Sequence, residues 1–284
     1  MPPELHGRPG WRSLCVVGAL LALAAAFTPN GASAQAPAPV PTVLARGAED
    51  LSAGAMLVRV VDTTLPPGEP GVTHAHASGF DYAFEGTHVV TIDGEARAEP
   101  EGHASWVGPM AEHTHGSLDG AGMRFWFVAF RPATTRGAPP AWPYPTTRIR
   151  SESEDVPLPA AGPYELTLSE VHLEAPGAAT GPLARSGPVA VTVVAGAVQF
   201  GAEPIPTDGI AVQYPGDGRR FTNRGPGSAH LLILAVAPAG RVPALLPRTG
   251  DPLPAVPAAL AAGAAVLAGL GTVLRRRRGT PRVR

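Results

Sequence analysis

Lysine is absent: all 22 basic residues among the 284 are arginine. We read this bias as the mark of a GC-rich coding sequence and give it no functional weight. Cysteine occurs once, as Cys15, which excludes an intramolecular disulfide and any cage of thiolate metal ligands. Aromatic residues are sparse at 6%. No excess of one charge is present, the formal net charge being -1, and much of the arginine lies in the two end segments. The rest of the chain is acidic, which argues against a nucleic-acid partner. Long helices are disfavoured by 34 glycines and 34 prolines, nearly a quarter of the chain. The 44% of apolar residues can still bury a core, and an all-β fold of many short strands and turns is expected.

Long hydrophobic runs occur only at the ends. Residues 1–34 carry Arg8 and Arg12, an apolar run from Leu14 to Phe27, then Pro29 and the small-residue site Ala32-Ser33-Ala34. This is the pattern of a secretory signal peptide. Cys15 opens the run and does not follow it, so the mature chain is expected to hold no cysteine. Residues 241–284 read as a stalk, the motif Leu246-Pro247-Arg248-Thr249-Gly250, an apolar stretch from Leu253 to Leu274 and the basic cluster Arg275 to Arg278. The stretch is about 33 Å long as a helix, enough to cross a bilayer core, and the arginines would keep the tail cytoplasmic. The arrangement resembles the LPxTG sorting signal of Gram-positive surface proteins. That resemblance implies sortase cleavage between Thr249 and Gly250 and covalent attachment to peptidoglycan. The expected location is extracellular, at the cell surface, wall-anchored or held by a C-terminal membrane span.

Between the ends lie two blocks, 42–133 and 161–240, joined by a Pro- and Thr-rich linker at 134–160. Each block alternates β-branched or aromatic runs with Gly, Pro and Asp. The blocks also echo each other. Pro67-Gly68 answers Pro176-Gly177, Tyr82 to Gly86 answers Thr192 to Gly196, and each block closes on an apolar run ending in Pro132 or Pro238.

Six of the nine histidines fall between His74 and His115. On a strand, residues i and i+2 share a face, so His74 points with His76 and His113 with His115. Convergent imidazoles suit Zn, Cu, Fe or Ni, and three of them leave a position open for water or substrate.

These residues carry a resemblance. Gly71-Val72-Thr73-His74-Ala75-His76 followed by Tyr82-Ala83-Phe84-Glu85-Gly86 is similar to the first cupin motif, and Gly102, Gly108-Pro109 and His113 to the second. The chain as a whole resembles a bicupin. The resemblance implies two antiparallel jelly-roll barrels in tandem, with one divalent transition metal (Fe, Mn, Zn, Ni or Cu) in the first. Carried over residue by residue, His74, His76 and His113 are the ligands. The usual glutamate is missing: one register places Asp81 there and the other Gly79. Asp81 or His115 is therefore the candidate fourth ligand.

His88 and His103 read as surface or turn residues, and Trp106, Phe125 and Phe127 as core. Block two has lost the site, with Leu183 and Arg185, or Ala184 and Ser186, at the HxH positions and Arg220 opposite His113. His172 and His230 read as isolated, and Arg219, Arg220 and Arg224 as a solvated loop. Block two is then a structural or pairing domain, and a homo-oligomer is compatible with it. Two functions follow: a surface-displayed module binding a metal or small ligand, which the missing glutamate favours, or a metal-dependent oxidoreductase of dioxygenase type or decarboxylase acting on a small molecule. In the second, Asp81, Glu85 or Glu112 would handle protons.

Overall fold

The computed structural model describes residues 38–240. The first half contains β1 (Thr42–Leu51), β2 (Gly54–Leu65), β3 (Gly79–Glu85), β4 (His88–Ile92), β5 (Glu95–Glu99), β6 (Ala104–Val107), β7 (His113–Ser117) and β8 (Met123–Pro132). The connecting stretch adds β9 (Arg148–Glu152) and β10 (Val156–Leu158). The second half contains β11 (Gly162–Leu173), β12 (Val189–Ala195), β13 (Val198–Phe200), β14 (Glu203–Ile205), β15 (Ile210–Gln213), β16 (Phe221–Asn223) and β17 (Ala229–Pro238).

Four sheets result. A five-stranded one runs β1-β11-β17-β12-β15, and a six-stranded one runs β10-β2-β8-β3-β6 with β9 also on β2. Two small sheets run β14-β13-β16 and β5-β4-β7. The two large sheets share one core: Val58, Phe80 and Trp126 of one pack with Leu166, Leu232 and Leu234 of the other. Such a position explains why β2 and β8 are almost continuously buried, since a strand covered on both faces has no solvent side to make polar. The β4–β5 hairpin turns on Asp93-Gly94, both at positive φ (52° and 81°), the conformation that makes Asp-Gly a favoured two-residue turn.

Two expectations are corrected. Closed tandem barrels are not formed, because none of the four sheets closes on itself and, among the named strands, β4, β5 and β7 pair only with one another. The halves also exchange strands: β1 runs antiparallel to β11 from Thr42↔Glu170 to Leu51↔Gly162, while β10 pairs with β2. Gly47 lets β1 cross Trp106 closely, since a Cβ there would lie 2.1 Å from the indole. The architecture of the described residues is all-β, and its sheets are open.

The second correction concerns the membrane. Among the described residues no helix is long and apolar enough to cross one, so the expected transmembrane span and C-terminal membrane anchor have no counterpart there. The sortase, peptidoglycan and membrane partners and the cell-surface location, all read from the end segments, gain no support from the described residues. Ala32 and Ala34, the Leu246-to-Gly250 motif, the span and the basic tail lie outside the described residues. The homo-oligomer also lacks support, since exposed large apolar side chains among the described residues are only Val40, Val72, Met110 and Leu118.

Candidate metal centre

The site is assembled from β7 and the loop before β3. His74 and His113 form an isolated antiparallel bridge, exchanging backbone hydrogen bonds of 3.0 and 2.9 Å. His115 lies two residues along β7 on the same buried face, and the Met110 amide donates to the His76 carbonyl at 2.8 Å, holding the second residue of the His-x-His pair. One nitrogen from each of His74, His76, His113 and His115 then lies within 4.8 Å of the others.

Hydrogen bonding sets which nitrogen is available. The Nδ1–H groups of His74, His76 and His113 donate to the carbonyls of Val72, Ala77 and Ala111, each at 2.8 Å. Carbonyls only accept, so Nδ1 carries the proton and Nε2 is left with a lone pair, the tautomer that a metal needs. Those lone pairs face one another. His113 Nε2 lies 3.1 Å from His76 Nε2 and 3.2 Å from His115 Nε2, while His74 Nε2 is buried without a partner. Between His76 and His113 the contact cannot be a hydrogen bond, because neither nitrogen has a proton to give. Donors on a tetrahedron with metal–nitrogen bonds of 2.0–2.1 Å are about 3.3 Å apart. The buried cluster is therefore able to hold one divalent transition-metal ion.

Electrostatics agree with this. Burial pushes His76 and His88 down to about 3 and holds His115 well below the ordinary histidine value, with His74 and His113 also lowered. All five are neutral at pH 7, as ligands must be. An unfolded chain would titrate them near 6.5 and so bind more protons below that value. Stability of the metal-free protein is expected to fall as pH drops below about 6.5. Asp81, raised well above the carboxylate range first by burial and then by Glu99, opposes the trend but is outnumbered. Thermal melts of metal-free protein at pH 7.5 and 5 check this; an equal or higher melting point at pH 5 would contradict it.

Asp81 does not reach the Nε2 cluster. It sits behind His115, its Oδ2 3.8 Å from Nδ1. Gly79, the other register for a carboxylate, is covered by Phe127, whose Cζ would lie 2.3 Å from a Cβ there. Glu85 and Glu112 are exposed, and Glu85 pairs with Arg124. His88 is not a surface residue: it is wholly buried, 2.8 Å from His115 Nδ1 and stacked on Phe125. His103 is exposed, as expected. Phe125 and Phe127 are core, but both also touch site imidazoles.

Sequence reasoning missed the connecting stretch. Trp142 lies parallel to the His76 ring at 4.7 Å, and Tyr144 stands edge-on to His74 while bonding to the Val72 backbone. The only signal was a pair of aromatics in a Pro-rich segment of an aromatic-poor chain. In the second half, His172 and His230 are not isolated: their rings stack at 4.2 Å and both face Glu170. Arg219 and Arg224 are occupied by Asp217 and Gln199.

No protein-family model matches the chain, and no curated protein does. Several solved structures align with part of the chain. YhhW from Escherichia coli aligns with a TM-score of 0.44 and 15% identity over 66% of this chain and 83% of that one. YhaK from Escherichia coli gives 0.43 and 11% over 68% and 93%. A cupin 2 conserved barrel domain protein from Leptotrichia buccalis gives 0.35 and 13% over 67% and 88%. Likeness at this level carries no chemistry.

Proposed function

We propose that the chain is a metal-dependent enzyme, an oxidoreductase of dioxygenase type or a decarboxylase, acting on a small carboxylate-bearing molecule with an apolar body. His74, His76 and His113 are its metal ligands, with His115 as the fourth, and residues 42–133 are the half that carries the chemistry. The observation behind this reading is a cavity of about 350 Å³ with His76 in its wall. A module that merely stores a metal needs no such space beside a ligand, whereas an enzyme must bring a reactant there.

The lining suggests what enters. Val61, Phe127, Ala129 and Trp142 supply apolar walls. Arg59 and Arg131 supply charge, but Arg59 is committed to Glu152 and to the carbonyls of Ala138 and Thr135. Arg131 has no ion pair within 4.0 Å among the described residues, and Glu49 acts on it only at longer range. A guanidinium in this position would grip a carboxylate, directing the apolar body along Phe127 and Trp142 towards His76. The bound metal would supply Lewis acidity or a site for oxygen only by taking a fifth ligand beside the four imidazoles. The chain's own residues orient the substrate and, through Trp142, cover the imidazoles.

Trp142 offers a readout. Small aromatic and aliphatic carboxylates are expected to quench its fluorescence, and Arg131→Gln to weaken their binding about tenfold or more, the loss of a charge-assisted bond. Oxygen uptake and CO2 release over the same panel, with metal-loaded protein, test turnover. Binding unchanged in Arg131→Gln would remove the carboxylate anchor. Tight metal binding without turnover of any ligand that binds would favour the ligand-binding module, the reading that a closed shell of four imidazoles supports.

A further inference from the structure

The four-imidazole cluster uses only the Nε2 of His115. Its other nitrogen, Nδ1, faces a second set of donors on β3 and β4: His88 Nε2 at 2.8 Å and Asp81 Oδ2 at 3.8 Å. One donor atom from each of Asp81, His88 and His115 lies within 4.8 Å of the others, and all three residues are 0% exposed.

Asp81 is the anomaly. Neither carboxylate oxygen has a hydrogen-bond partner, and neither has His88 Nδ1. A buried carboxylate without donors is among the costliest arrangements in a folded protein. Protonation would not repair it, since a proton on one oxygen leaves the other bare and finds no acceptor. A simple supporting role, in which His115 Nδ1–H donates to His88 Nε2 and so orients a ligand of one metal, accounts for His88 but leaves Asp81 unmatched. A cation between the three residues would satisfy the carboxylate and both facing nitrogens together.

We propose that Asp81, His88 and His115 form a second divalent-metal site, and that His115 bridges the two ions as an imidazolate. The separations of 2.8 and 3.8 Å lie either side of the roughly 3.3 Å expected between donors of a tetrahedral site. Small rotations of His88 and Asp81 bring them to it. The step is balanced without redox chemistry: neutral His115 carries one N–H, coordination through both nitrogens needs both lone pairs, and that proton leaves to solvent as the second ion enters, together with any carboxyl proton that Asp81 holds. Asp81 and the imidazolate contribute two negative charges against the two dications, a reason for an acid at this otherwise apolar position. The proposal concerns metal content alone, so it stands or falls independently of any enzymatic activity.

The surface group Glu170, His172 and His230 could take up metal itself, so the test uses the full chain carrying His172→Ala as the parent. Loaded with excess Cu(II) and desalted, the parent is expected to hold two ions per chain by elemental analysis. Magnetic coupling through the imidazolate should reduce its EPR intensity well below that of two isolated Cu(II) ions. Asp81→Asn and His88→Gln should each lower the content to one ion and restore a full, uncoupled signal from it. One ion per chain in the parent, or two with no coupling, overturns the proposal. The parent measurement needs no substitution in the site, so a failure of either variant to fold does not blunt the test.

Discussion

His113→Ala is expected to lower the affinity for Zn(II) or Cu(II) at the four-imidazole site by more than about 100-fold, beyond the 10–100-fold typical of losing an outer-shell partner. His113 is the centre of the cluster, its Nε2 3.1 Å from that of His76 and 3.2 Å from that of His115. Deleting its ring removes the donor closest to both. The fold should survive, because the bridge to His74 is made by backbone groups that alanine keeps. Competition titration against a chelator of known affinity measures the loss, and circular dichroism confirms the strands. His103→Ala, at an exposed imidazole, serves as control and should change nothing. Wild-type affinity in His113→Ala would place the metal elsewhere.

Asp62→Ala is expected to cost about 3 kcal/mol of stability, the lower end for removing one partner of a buried ion pair. The carboxylate is 2% exposed and receives a two-pronged bond from Arg124 at 2.8 and 2.9 Å, with Arg148 at 3.0 Å and Arg150 at 3.1 Å. The loss is moderated because Arg124 keeps Glu85 and Arg150 keeps Asp208. Burial alone would raise the Asp62 pKa, but the arginines outweigh it and hold the carboxyl below its ordinary value. Its contribution is thus complete above about pH 4 and lost as pH falls through the lowered folded value. Urea denaturation at pH 7 reads the difference. Asp155→Ala, at the exposed pair with Arg136, should shift the midpoint little, and an equal shift in both variants would refute the special place of Asp62. Because Arg148 and Arg150 stand on β9, the cluster also fixes the stretch that carries Trp142 and Tyr144. Asp62→Ala should therefore also weaken the carboxylate binding proposed above.

Several parts of this arrangement follow from local rules. Glycine and proline at nearly a quarter of the chain rule against long helices, and the described residues contain only strands and two short 3-10 turns. Period-two alternation alone requires His113 and His115 to share a face of any strand that contains them, as β7 shows. Phe125 to Phe130 is apolar enough to demand cover on both faces, and it became the central strand β8, paired with β2.

What alternation could not decide is which chain segment comes to lie against a given face. Asp81 and Gly79 share one face of β3, but only the neighbouring β8 determines that Phe127 fills the space over Gly79 and that Asp81 ends behind His115. The same limit applies to His88, whose burial depends on the pairing of β4 with β7 and on the Phe125 ring that stacks against it. It applies again to β1, whose partner β11 lies more than a hundred residues away, and to Trp142, which reads as linker until it lies on His76. Composition and residue spacing by themselves determined that the described residues are all-β and that their first half gathers imidazoles. Only the tertiary structure decided which nitrogens meet, what stands behind them and which arginine faces the cavity, because those depend on register and packing between strands distant in sequence.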